Sequence, residues 1–423
     1  MMALLYETVP AFEDTWIECL GDLGRYRMAI EDEDIRDRET WANVARSWYS
    51  KAADKNPPVG RLYHHLAILA RPNALQQIYY YGRSLNSVEP FPSARESVMT
   101  LFKPFVLDEE DVKNGHDVKP FVYTPGLPID TLFTGLHALY FTRRDKHWQD
   151  QVWQDFMGAL DNHIGRVTAK WKEQGVYIAV TNVSGWFDYG VNSNPVRQLF
   201  RLRAEVRKDP SYVVQPLDPD NSLPLEKQDP QRPRFTEEDL LPMLKSNEKE
   251  STFCRAKNLT NETFALVLRR IGDKNVLPHV HIMLSFLATF AAIDPISHLI
   301  DQVPWADVVG FLNTLIKTEN QQSQGGSINE SLTQPVFAAE GDKGTEDNLP
   351  LPEDWLIRGL IWAEEYLPTN WFSKEVDEEE RYLELASTAR RRSIRTLRLG
   401  YRLSSFDRWI SYKNDLHTFV TVS

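Results

Sequence analysis

The sequence predicts an all-α protein built of antiparallel helix pairs, and three observations carry that prediction. Apolar residues recur at steps of three and four, most plainly at Trp148, Val152, Phe156, Leu160, Ile164, Val167 and Trp171. Two tandem segments within residues 39–102 share one spacing of small residues, aromatics and proline. Alternating strand patterns are almost absent.

The repeat is the most specific of the three. Ala45, Tyr49, Ala52 and Pro57 put small residues where two helices cross closely, an aromatic between them, and proline where the helix stops. Gly60, Tyr63, Leu66, Ala67 and Ala70 are spaced as the next first helix, followed by Gln77, Tyr81 and Ser84 as a degenerate second helix before Pro90. This is the tetratricopeptide arrangement. Each pair exposes an apolar face that only a neighbouring pair can cover, so two copies predict a longer stack wound into a superhelix.

The remaining elements follow from periodicity and breakers. Residues 10–30 read as one helix with Trp16, Leu20, Leu23 and Met28 near one face, and residues 31–37 as an acidic loop. Further helices are expected over 91–105, 127–141, 147–174, 176–189 and 195–207, then 276–293, 305–317, 353–366 and a long one over 378–403. Residues 209–250, with seven prolines, and 320–348, rich in Gln, Ser, Gly and acid, are expected to be disordered insertions because neither buries enough apolar surface to offset chain ordering.

Composition narrows the function. The chain has 423 residues, 42% of them hydrophobic, enough for a large core or an extended helical array. Its two cysteines, Cys19 and Cys254, are far apart, which favours a reducing compartment over a disulfide framework. Residues 1–16 lack the basic start and long apolar core of a secretory signal, and His279 and His281 interrupt the most apolar stretch, so a soluble protein without membrane contact is expected. A net charge of −12 opposes indiscriminate nucleic-acid binding, so any such contact must be local.

Two basic clusters qualify as local. Residues 389–402 hold six arginines and no acid, and Arg391, Arg395, Arg398 and Arg402 recur at steps of four, three and four along one helix face. Guanidinium groups about 5–6 Å apart on one face can track a phosphate backbone. The competing account pairs them with acidic residues 377–380 and neighbouring helices, so that they hold the stack together. Arg197 and Arg201 belong to a second run, with Arg203, Arg207 and Lys208, at a helix end where cations complement the helix dipole. His64, His65, His279 and His281 lack metal-ligand spacing, and no glycine-rich phosphate loop, nucleophile elbow or zinc-protease pair is present. No catalytic activity, metal or cofactor is therefore expected.

Several long segments resemble one family. GRLYHHLAILA at 60–70, YYYGRSL at 79–85 and PFPSARES at 90–97 resemble the telomerase-associated Est-one proteins and the SMG five, six and seven decay factors, with the nearest likeness to fungal members. Residues 133–142, 351–372 and 381–412 resemble three further segments of that family in the same order. The resemblance implies a 14-3-3-like half followed by an Est-one-type DNA/RNA-binding helical domain. Residues 1–33 would then be the remnant of the first half, 34–412 the second, and 413–423 a tail; starting inside the first half would make the chain a truncated gene model or a shortened paralogue. LGDLGRYR at 20–27 resembles the helix whose arginine and tyrosine form a phosphate-binding pair, which implies phosphopeptide contacts at Arg25 and Tyr26.

The resemblance further implies a nuclear, non-catalytic adaptor of nonsense-mediated mRNA decay, telomere maintenance or both. Its expected partners are RNA or telomeric single-stranded DNA, telomerase or decay proteins, and phosphoproteins. The alternative is a tetratricopeptide scaffold that contacts only proteins.

Overall fold

The computed structural model describes residues 2–31, 34–106, 126–143, 146–208, 236–322, 329–337, 349–372, 381 and 384–422. The chain is all-α, and it divides into two units, Met1–Lys146 and His147–Ser423.

The first unit runs α1 (Met2–Thr8), α2 (Glu13–Ile30), α3 (Ile35–Lys55), α4 (Gly60–Leu69), α5 (Ala74–Asn86), α6 (Ala94–Ser97), α7 (Met99–Val106) and α8 (Ile129–Thr142). Residues 31–37 are less loop than expected, because the Asp34 carboxylate accepts a 2.8 Å hydrogen bond from the Arg36 N–H and starts α3 at Ile35. Successive helices α2 to α5 pack on one another around Ile17, Ala45, Tyr49, Leu62, Tyr63 and Leu66. Two glycines let α2 approach α3 closely: a Cβ on Gly21 would lie 2.8 Å from the Tyr49 ring, and one on Gly24 would lie 3.1 Å from Ala45. Asn73 caps α5 by accepting from the Gln76 N–H at 3.0 Å.

The second unit holds α9 (Lys146–Val167), α10 (Trp171–Trp186), α11 (Pro195–Lys208), α12 (Glu237–Asn247), α13 (Ser251–Leu268), α14 (Leu277–Ala291), α15 (Asp294–Ser297) and α16 (Trp305–Gln322). Then come α17 (Asn329–Leu332), α18 (Pro352–Ile357), α19 (Ala363–Tyr366), α20 (Ala386–Ser404), β1 (Ile410–Lys413) and β2 (Thr418–Thr421). The stripe on α9 buries Val152, Phe156, Leu160 and Ile164. The single helix expected over 147–174 breaks where Thr168 takes the left-handed φ of 49°, and the segment expected to begin at 176 belongs to the longer α10. Every residue of α14 is buried, as its apolar run demands. Beside it the Trp186 indole N–H donates to Thr260 Oγ1 at 3.0 Å, and its ring stands edge-on to Phe253, Phe286 and Phe290.

Four further expectations change. Residues 236–250 are not disordered: Thr236 and Asp239 form a capping box, and α12 buries Leu240 and Leu244. In the second expected insertion, α16 continues to Gln322 and α17 buries Leu332; residues 209–235, 323–328 and 338–348 lie outside the described residues. The helix expected over 353–366 is two short ones, because Arg358 turns extended and Gly359 takes φ of 80°. Residues 413–423 are not a loose tail, since β1 and β2 pair antiparallel with Ile410 opposite Thr421 and Lys413 opposite Thr418. The Asn313 side-chain amide on α16 holds that hairpin, accepting from Phe419 N–H at 2.8 Å and donating to Phe419 C=O at 2.9 Å.

Gly60 is the tightest backbone approach in the first unit, since an added Cβ would sit 2.4 Å from Ser84 O and 2.8 Å from Phe91 N. Gly60→Ala should destabilise by about 2 kcal/mol, read as a lower denaturant midpoint. Gly158→Ala on α9, where nothing lies within 4 Å of the new methyl, should instead stabilise by about 0.5–1 kcal/mol.

Candidate nucleic-acid interface

The six arginines on α20 do not share one fate. Arg392 and Arg395 are 1% and 2% exposed, each tied to a carboxylate of α18. Arg392 grips Glu353 bidentately, Nε to Oε1 at 2.7 Å and Nη2 to Oε2 at 2.9 Å, and its Nη1 reaches Glu384 at 2.6 Å. Arg395 donates Nη1 to Asp354 Oδ2 at 2.5 Å and Nη2 to the Leu349 carbonyl at 2.9 Å. Asp354 Oδ2 also accepts from Leu351 N–H at 2.8 Å and from the Trp371 indole at 3.3 Å. Burial alone would raise the Glu353 pKa, but the facing Arg392 guanidinium and His281 outweigh it and hold the carboxyl well below the usual range.

The expected phosphate-tracking face therefore loses its second member, because Arg395 is enclosed in a protein ion pair. The expected acidic partners at 377–380 lie outside the described residues, and Glu353, Asp354 and Glu384 fill that role. Arg391 is half-buried, with Nη2 3.5 Å from Thr388 Oγ1. Arg398 is half-buried and donates Nε to the Ser331 carbonyl at 2.9 Å. The side chain of Arg402, also half-buried, makes no hydrogen bond or ion pair among the described residues. It lines an open cleft of about 420 Å³ together with Arg398, Tyr401, Ser405 and residues 333–337. Sequence reasoning missed that cleft and the acidic pair; two adjacent carboxylates within PEDW, preceding an arginine-rich helix, were the available signal.

The second basic run is also largely engaged within the protein. Arg197 is 3% exposed, and burial together with its neighbour Arg201 pushes its pKa down to about 10. Arg201 is half-buried. Arg203 pairs with Glu237 at 2.8 Å and with Glu365 at 3.6 Å, and Arg207 pairs with Glu365, so α11 uses these charges to hold α12 and α19.

In the first unit, Arg25 closes on its own helix. Its Nη2 donates to Asp22 at 3.1 Å and its Nε to the Tyr49 hydroxyl at 3.1 Å, while Tyr49 donates to Asp22 at 2.6 Å. Burial raises the Asp22 pKa, but the hydrogen bonds from Tyr49 and Arg25 outweigh it and leave the carboxyl below its ordinary value. Tyr26 is 56% exposed under the Arg25 guanidinium, 4.6 Å from centroid to carbon. A phosphate at Arg25 would have to displace Asp22.

The histidines are packing residues. His64 Nε2 lies 2.8 Å from Ser97 Oγ, and His65 stacks on Tyr49 at 4.7 Å. His279 Nδ1 donates to Gly175 O at 2.8 Å, and His281 bridges Glu353 at 3.0 Å and Tyr366 at 3.2 Å. Among the described residues no helix is long and apolar enough to cross a membrane.

Comparison with known proteins bears on the fold between these sites. The family model of the Est1 DNA/RNA binding domain matches residues 45–188, the stretch from α3 through the end of α10. Over that stretch the chain resembles the Est1/SMG family. It is similar to the telomerase-binding protein EST1A of Danio rerio, 41% identical over 87 residues, which is 20% of this chain and 5% of that protein. It is likewise similar to the nonsense-mediated mRNA decay factor SMG7 of Arabidopsis thaliana, 39% identical over 85 residues, 20% of this chain and 8% of that protein. SMG7 of Danio rerio is 31% identical over 105 residues, 24% of this chain and 8% of that protein. The matched part thus spans under a tenth of the length of these three relatives. Arg25, Tyr26, both basic runs and the α18–α20 ion pairs lie outside residues 45–188.

Removing one partner of the buried pair, as in Arg395→Ala, leaves Asp354 uncompensated and should cost about 3–5 kcal/mol, measured by chemical denaturation. Arg390→Ala, at an exposed position on the same helix, should change stability by less than about 0.5 kcal/mol. Burial pushes the His279 pKa down to about 4, against 6.5 in the unfolded chain. The unfolded state therefore binds the extra proton between those values. Its contribution should be flat above pH 6.5 and fall by roughly 3 kcal/mol as pH drops to 4, read from urea midpoints across that range and reduced in slope by His279→Asn.

Proposed function

We propose that this chain is a non-catalytic, nucleic-acid-associated adaptor of nonsense-mediated mRNA decay or telomere maintenance, acting in the nucleus on RNA or telomeric single-stranded DNA together with telomerase or decay proteins. The observation that carries this reading is the Est1 DNA/RNA binding domain match over residues 45–188, supported by similarity to proteins named for telomerase binding and for mRNA decay. Charge distribution refines it. With Arg392 and Arg395 holding α18, and Arg203 and Arg207 holding neighbouring helices, phosphate contacts in the second unit fall to the accessible guanidinium groups of α20: Arg390, Arg391, Arg398 and Arg402. Phosphopeptide binding at Arg25 is the weaker part, because its Nη2 and Nε already bond to Asp22 and Tyr49.

A scaffold that contacts only proteins is the second reading, and the observation that favours it is the internal use of Arg392 and Arg395. A gel shift with single-stranded RNA and DNA separates the two. The adaptor predicts binding that weakens about tenfold or more between 50 and 200 mM salt if several phosphates are contacted. Recovery of protein without nucleic acid in a crosslinking pull-down, with no shift at low salt, would replace it with the scaffold.

A further inference from the structure

We infer that the cleft between residues 333–337 and the C-terminal half of α20 receives one nucleotide of a single strand, with its phosphate on the Arg402 guanidinium and its base against Pro335, Val336 and Phe337. This rests on the nucleic-acid reading above and names where in the second unit the strand is held.

The cleft, about 420 Å³, falls within the roughly 300–1,000 Å³ range of small-ligand sites. Its lining combines what a nucleotide needs. Arg402 is a guanidinium with no carboxylate, hydroxyl or carbonyl partner among the described residues, so its fork is available to phosphate oxygens. Phe337 and Val336 give an apolar wall, while Thr333, Gln334 and Ser405 add hydroxyl and amide groups that can meet base edges.

The wall is also held in place before anything binds. Arg398 donates to the Ser331 carbonyl at 2.9 Å and ties the preceding residues to α20. Phe337 stands edge-on to Tyr366 at 5.0 Å and to Trp371 at 4.8 Å, with the Arg395 guanidinium 5.4 Å from its ring. A preformed wall lowers the ordering cost of binding. In a chain of net charge −12, one unengaged cation beside apolar surface selects a ligand joining negative charge to a flat ring. An acidic peptide supplies the first, and the second only where it also carries an aromatic side chain.

The test is fluorescence anisotropy of the full chain with labelled ten-nucleotide oligo(U) and oligo(dT), both of which carry the phosphate and base the cleft would recognise. Arg402→Glu should weaken both about tenfold or more and lower the salt slope by about 1, whereas Arg402→Lys, which keeps the charge and loses the fork, should weaken them only about two- to fivefold with the salt slope unchanged. Helical circular dichroism and melting temperature should not move, because the Arg402 side chain bonds to nothing among the described residues. Binding unchanged in Arg402→Glu would overturn the cleft assignment and leave the adaptor reading standing. No binding of either oligonucleotide by the wild-type chain would overturn both. A labelled acidic ten-residue peptide that binds in place of the oligonucleotides, and is lost in Arg402→Glu, would overturn the assignment and make the cleft a protein-docking site.

Discussion

The second unit depends on two buried ion pairs, Glu353 with Arg392 and Asp354 with Arg395. Charges taken out of water cost several kcal/mol each unless their lone pairs and protons find partners, and here both Glu353 oxygens and Asp354 Oδ2 do, while Asp354 Oδ1 makes no hydrogen bond among the described residues. Glu353 meets Arg392 and His281; Asp354 meets Arg395, the Leu351 N–H and the Trp371 indole. These bonds fasten α18, α20, α14 and the segment around Trp371 at defined angles. Apolar packing alone would permit those elements to slide. Register, more than net stability, is what such pairs supply.

The same constraint decides which basic residues can serve a ligand. Arg203 and Arg207 pair with carboxylates of neighbouring helices, and Arg25 with Asp22 on its own helix, so these charges are engaged within the protein. What remains is a small accessible set on α20, ending at Arg402 beside an aromatic wall. Local binding on an acidic chain fits that distribution better than a long basic stripe would.

The helices were legible because periodicity is a local signal. The repeat spacing around Ala45, Tyr49 and Tyr63 and the apolar run on α14 both became core. Breaks were harder to see: the left-handed Thr168 divides a stripe whose spacing runs on through Trp171, and Gly359 divides a segment that reads as one helix. Residues around α12 look like a loop from their prolines and charge, yet Thr236 with Asp239 and the buried Leu240 and Leu244 supply a cap and a face. The site was least legible. Four arginines at helical spacing identify a face but not what lies opposite, and the carboxylates opposite are some forty residues upstream in sequence, at Glu353 and Asp354. That spacing is set by tertiary packing, which no window of neighbouring residues records.

The Asn313 clamp on the C-terminal hairpin has a consequence for solubility. A strand at the rim of a two-stranded sheet offers unpaired N–H and C=O groups that another chain's strand can add to. Because the Asn313 amide satisfies both groups of Phe419 at once, β2 is closed at its middle to edge-to-edge growth. One side chain on α16 thereby guards against intermolecular β-pairing at the only strand pair among the described residues.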